Sequence, residues 1–130
     1  MKITISGNGV DPDDDLVQYL FVAENETFKG TTLFYQYANA FNDFPAMLEK
    51  FPFESKETIA FEADGINISI SLADSAGRIS FRVSLTDNDG NKVDFVDQTV
   101  EVTALHRLAS KLRATDFRSR HMLEWSSEES

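Results

Sequence analysis

Glu54-Ser55-Lys56 has the spacing of the Glu-x-Lys half of a carboxylate-dependent metal nuclease, with Asp64 or an aspartate nearer the N-terminus as its second carboxylate. In such a site paired carboxylates hold a divalent cation that activates water. The triplet is short and falls between a helical and a strand-like segment rather than within a strand, so it weighs little against chance. Asp87-Asn88-Asp89-Gly90 has the composition of a calcium loop. Setting Gly90 at the loop's required glycine puts Leu85 at the first ligand position and Val96 at the bidentate glutamate, and neither can ligate. A hairpin turn accounts for the same residues. Asp11-Pro12-Asp13-Asp14-Asp15 lacks calcium-loop spacing as well and reads as an acidic loop. Gly7-Asn8-Gly9 has the makings of a phosphate-binding turn, but the aspartates that follow would repel phosphate. His106 and His121 have no metal-ligand spacing, and no Gly-x-Ser-x-Gly elbow is present. The absence of cysteine removes disulfides, zinc thiolates and a thiol nucleophile together. No catalytic residue, cofactor or metal is therefore expected, and the metal nuclease stands as the enzymatic alternative.

The elements that carry these loops are legible in the hydrophobic pattern. Ile66, Ile68, Ile70 and Leu72 alternate with polar residues, as do Ile79, Phe81, Val83 and Leu85. A period of two places each set on one face of a strand. Asp74-Ser75-Ala76-Gly77 supplies the turn between them, and Asp64-Gly65 is a two-residue hairpin signal before them. With Ile59 and Phe61 upstream and Val93 and Phe95 downstream, residues 59–102 read as a four-strand meander. A bulge is expected near Asp97. Ile3 and Ile5 predict a short first strand, ended by Gly7-Asn8-Gly9.

Leu16 to Ala23 is apolar on both strand faces, interrupted only by Gln18. That pattern predicts a strand covered on both sides, or covered on one side and set against another subunit. It pairs with a strand from Phe28 to Tyr37, in which Gly30 marks a bulge. Phe41, Phe44, Leu48 and Phe51 fall on one helical face, started by Asn42 or Asp43 and closed by Pro52. Leu105, Leu108, Ala109 and Leu112 form the stripe of a second helix, with Thr103 as its cap and Arg107 and Lys111 on its solvated side. The expected fold is α+β: an antiparallel meander sheet of about six to seven strands packed against two amphipathic helices. Residues 1–116 form one domain, and residues 117–130, with Phe117, Met122, Leu123 and Trp125, a partly disordered tail.

The net charge is −10, and it is uneven: residues 1–101 hold 18 acids and 7 bases, residues 102–130 hold 4 and 5. Such a surface repels nucleic acid and anionic membranes and attracts basic partners. No apolar run approaches membrane-spanning length, and the first residues lack the apolar core of a signal peptide, so a cytoplasmic location is expected.

From Phe41 to Arg113 the elements follow an order that is a pattern and not a chemical signature. It runs from the helix anchored by Phe44, Leu48 and Phe51 to Ile59-Ala60-Phe61-Glu62 and the alternating strand from Ile66 to Leu72. The Gly77-led strand Arg78 to Val83 follows, then Asp97-Gln98-Thr99 and the closing helix Leu105 to Leu112. This order resembles the WapI-type immunity proteins of bacterial polymorphic-toxin systems. The resemblance implies a non-catalytic protein that binds and neutralises a cognate toxin domain, with no catalytic residues to carry over. A basic toxin domain would be steered toward loop carboxylates, which makes Asp11, Asp13, Asp14, Asp15, Asp87 and Asp89 the candidate partner-binding residues. The alternative partner is a second copy of the chain, a homodimer joined through the two-faced hairpin from Leu16 to Tyr37.

Overall fold

The computed structural model describes residues 1–13 and 15–128. The strands are β1 (Lys2–Val10), β2 (Leu16–Glu24), β3 (Lys29–Tyr37), β4 (Ile59–Ala63), β5 (Ile66–Leu72), β6 (Ile79–Thr86), β7 (Lys92–Val100) and β8 (Met122–Ser126). The helices are α1 (Phe44–Lys50) and α2 (Val102–Ala114), with a single 3-10 turn at Phe117–Ser119. The α+β class is as expected, but the strands form two four-stranded sheets instead of one meander. Sheet A has the order β3-β2-β1-β8 and sheet B the order β4-β5-β6-β7, all antiparallel.

Sheet B is the meander read from the sequence, including the tight turn at Asp64-Gly65, where Gly65 has φ +81°. The bulge also falls where expected: the β6–β7 register shifts between the Phe81↔Asp97 and Ile79↔Val100 pairs. Sheet B is separate from sheet A because each has an apolar inner face that needs covering, and facing sheets cover each other. Gly30 marks a close approach of the two, against Leu85, Val93 and Phe95. It pairs regularly with Ala23, so it is no bulge; a Cβ there would lie 2.7 Å from Leu85 Cδ1. Helices α1 and α2 pack on each other, α1 touching β4 and α2 touching β8.

Four further expectations are corrected. The first strand does not stop at Gly7-Asn8-Gly9 but runs through it to Val10, with a register shift there against β2. Gly9 takes φ +134°, a conformation that a side chain would strain. The segment after Thr115 is not a loose tail as far as Glu128. Phe117, Leu123 and Trp125 are buried, and β8 pairs with β1 to complete sheet A. Arg107 is not on a solvated face; it is half-buried, and its Nη2 donates to Ser126 O at 2.8 Å. Helix α2 begins at a Glu101 cap without a side-chain hydrogen bond, so Thr103 is not the cap.

The core is one cluster. Tyr19 lies near its middle, stacked on Phe34 at 4.9 Å and edge-on to Phe41 and Phe117 at 5.7 and 5.3 Å. Its hydroxyl donates to Tyr37 O at 2.9 Å. Burial pushes the Tyr19 phenol up to about 12, against an opposing pull from Arg118. A folded-state value above the unfolded value of about 10 stabilises the fold fully below that pH. The contribution is lost as pH rises from about 10 through about 12. Urea melts over that window should lose on the order of 2 kcal/mol, and Tyr19→Phe should flatten the dependence.

Met1 and Ser127 are fixed to the same place. Ser127 N donates to Met1 O at 2.9 Å, and Ser127 Oγ donates to Asp97 Oδ2 at 2.6 Å. Burial alone would raise the Asp97 carboxyl. The donors from Ser127 and Thr99 outweigh it and hold the group below its ordinary range.

Candidate interaction surface

The two sheets differ in what they turn outward. An antiparallel sheet with one wet face alternates apolar residues inward and polar residues outward. Sheet B obeys this rule: Asn67, Ser69 and Ser71 on β5 and Ser80, Arg82 and Ser84 on β6 form its outer face. Sheet A does not. The β2–β3 register sets Leu16 opposite Tyr37, Gln18 opposite Tyr35 and Leu20 opposite Leu33, all on the side away from the core. Leu33, Tyr35 and Tyr37 are 54, 58 and 56% exposed, and Met122 of β8 is 58% exposed. Leu16, Leu20 and Val22 are half-buried between them.

This face is graded along the strands. At one end Lys2, Glu24, Lys29 and Glu124 bring equal numbers of each charge, with Lys2 Nζ 3.9 Å from Glu124 Oε2 and Glu24 paired across strands with both lysines. The middle is aliphatic at Leu20, Val22 and Leu33 and polar at Thr4 and Ser6 of β1. The other end is aromatic and runs directly into the β1–β2 loop. Gln18 Nε2 donates to Tyr35 Oη at 2.8 Å, which fixes the ring over β2.

The candidate carboxylates do not gather in one place. Asp11, Asp13 and Asp15 lie in the β1–β2 loop at the aromatic end; Asp14 lies outside the described residues. Asp11 Oδ1 accepts from Asp13 N at 2.8 Å, and Asp11 N donates to Leu16 O at 2.8 Å. Asp15 has φ +56° and is held by Arg118 Nη2 at 2.5 Å. Asp87 and Asp89 lie in the β6–β7 turn, which lines a shallow pocket of about 210 Å³ together with Gly30, Thr31 and Thr32. Asp87 acts within its own turn. Its carboxylate accepts from the Asn91 side chain at 3.0 Å and from the backbone N of Asn91 and Asp89, and these bonds lower its pKa. Asp87 lies beside Gly30 and Asp15 adjoins Leu16, the partner of Tyr37, and seven steps of β3, roughly 23 Å of strand, separate Gly30 from Tyr37.

The residues of the nuclease alternative flank one strand. Glu54 lies before β4 and Asp64 after it, and both are exposed. Among the described residues no three His, Cys, Asp or Glu side chains converge to hold a metal ion. His106 sits half-buried on α2 and His121 is exposed before β8. No described helix is long and apolar enough to cross a membrane.

Sequence reasoning found the aromatic hairpin through the apolar run at Leu16–Ala23, interrupted only by Gln18. It missed Met122, because β8 has only five residues and follows a segment without periodicity. Comparison of the chain with protein-family models, curated proteins and solved structures finds no match.

Proposed function

We propose that this chain is a non-catalytic binding protein of the immunity type, which holds a cognate toxin domain and blocks it. The observation that carries the reading is the outer face of sheet A, where exposed Leu33, Tyr35 and Tyr37 stand where a solvated sheet would place polar residues. Tyrosine is enriched among residues that dominate binding energy, and a sheet holds it in place at little entropic cost. A net charge of −10 supports a basic partner, whose approach it would accelerate. The order of elements from Phe41 to Arg113, similar to WapI-type immunity proteins, supports the finer assignment.

Co-expression with the effector encoded upstream tests this reading. Growth should be rescued and a complex should co-elute. Toxicity that persists, with the chain folded and expressed, would remove the immunity assignment.

The same exposed face favours a second reading, a homodimer with a structural or adaptor role. Sedimentation of the chain alone distinguishes it, through a mass that doubles with concentration.

A further inference from the structure

We infer that the outer face of sheet A receives a cationic protein surface with an apolar centre, docked at the aromatic end, and that Asp87 and Asp89 take no part. The inference rests on reading the chain as a binding protein and names the site and the chemistry of its partner. Strands β1, β2 and β3, of 9 residues each, and the 5-residue β8, about 4.8 Å apart, give a face of roughly 520 Å². With the adjoining β1–β2 loop this approaches the roughly 800 Å² per partner of a standard interface.

The charge layout decides the occupant. At the far end Lys2, Lys29 and the Met1 ammonium stand among Glu24, Glu26, Glu124 and Glu128, so that end offers no excess of positive charge. At the aromatic end Arg118 pairs with Asp15 and Arg120 reaches beside Gly9, while Asp11, Asp13 and Asp116 leave the balance negative. A second copy laid on this face would find no positive end to meet those aspartates, and two chains of −10 repel. A partner with lysines or arginines beside aliphatic side chains meets both features at once. Tyr35, fixed by Gln18, and Tyr37, opposite Leu16, would cover its apolar part. Asp87 is excluded because it lies near Gly30, at the other end of β3, and its carboxylate is engaged in its own turn.

The probes are two synthetic peptides of equal charge and length, one alternating lysine with leucine and one alternating lysine with serine, titrated into the isotopically labelled full chain. Shifts from the lysine–leucine peptide should centre on Leu20, Leu33, Tyr35 and Tyr37 and reach Asp13. Its affinity should exceed that of the lysine–serine peptide by about tenfold, the equivalent of 1.4 kcal/mol. The variant Tyr35→Ala/Tyr37→Ala should remove that advantage. Asp11→Asn/Asp13→Asn should weaken both peptides and reduce their salt dependence, and Asp89→Asn should change neither. Leu33→Arg, a single outward change, gives the same readout should the double tyrosine variant misfold.

Equal affinity for the two peptides, or shifts centred on sheet B or the β6–β7 turn, overturns the inference. So does concentration-dependent broadening of this face without peptide, which assigns it to a second copy. The peptide result does not depend on any toxin, so a failed growth rescue and a failed face assignment remain distinguishable.

Discussion

Gly7→Ala should lower the melting temperature by about 11 °C, corresponding to a loss of about 3 kcal/mol in a chain of this size. A Cβ at position 7 would stand 1.9 Å from the carbonyl oxygen of Phe117 and 2.8 Å from its carbonyl carbon. Backbone cannot turn aside as the end of a long side chain can. The 3-10 turn would have to move, yet Phe117 is anchored among Tyr19 and Phe41, and Gly7 N itself donates to His121 O at 3.3 Å. The displacement therefore reaches both the aromatic core and the entry to β8. Gly77→Ala is the matched control. Gly77 has φ +90°, so alanine is strained, but nothing lies within 4 Å of a Cβ there. Its cost should stay near 1–2 kcal/mol, confined to the β5–β6 turn. Thermal unfolding followed by circular dichroism separates the two. Equal losses would show that steric contact at Gly7 is not what matters.

Trp125→Ala should cost about 3–5 kcal/mol, the range for removing a buried aromatic side chain. This residue joins three parts of the molecule. It belongs to β8 and pairs with Ile3 of β1, its ring lies 4.8 Å from that of Phe81 in sheet B, and its Nε1 donates to Ala104 O of α2 at 2.8 Å. Losing the ring leaves a cavity where sheet A, sheet B and α2 meet. Trp125→Phe retains most of the volume and loses the hydrogen bond, so about 1–2 kcal/mol is expected. Met122→Ala, on the exposed face of the same strand, should stay within about 0.5 kcal/mol. Urea midpoints measure all three. Should Trp125→Ala prove as mild as Met122→Ala, β8 would not be an integral strand of the fold.

The alternation from Ile59 to Val100 specified sheet B almost completely, because local period and short turns fix both the strands and their neighbours. The stripe of α2 was equally plain and is buried from Leu105 to Leu112; Phe41, Phe44, Leu48 and Phe51 are buried too, but only Phe44 and Leu48 lie within α1. The apolar run at Leu16–Ala23 already called for something to cover a second face. The carboxylates were visible by type, but not their separation into two places, since distance across a fold has no local signature.

By itself, the sequence determined strand periodicity, helix faces, an acidic exterior and an aromatic hairpin with two apolar sides, all properties of residues near one another in the chain. Only the tertiary structure decided that β8 returns to β1, that Gly7 must be bare to admit Phe117, and that sheet A keeps one aromatic side exposed. Each of these joins segments far apart in sequence. Such pairings are selected by the fit of whole surfaces, the facing of two apolar sheets and the space left for one carbonyl, which residue type and spacing do not encode.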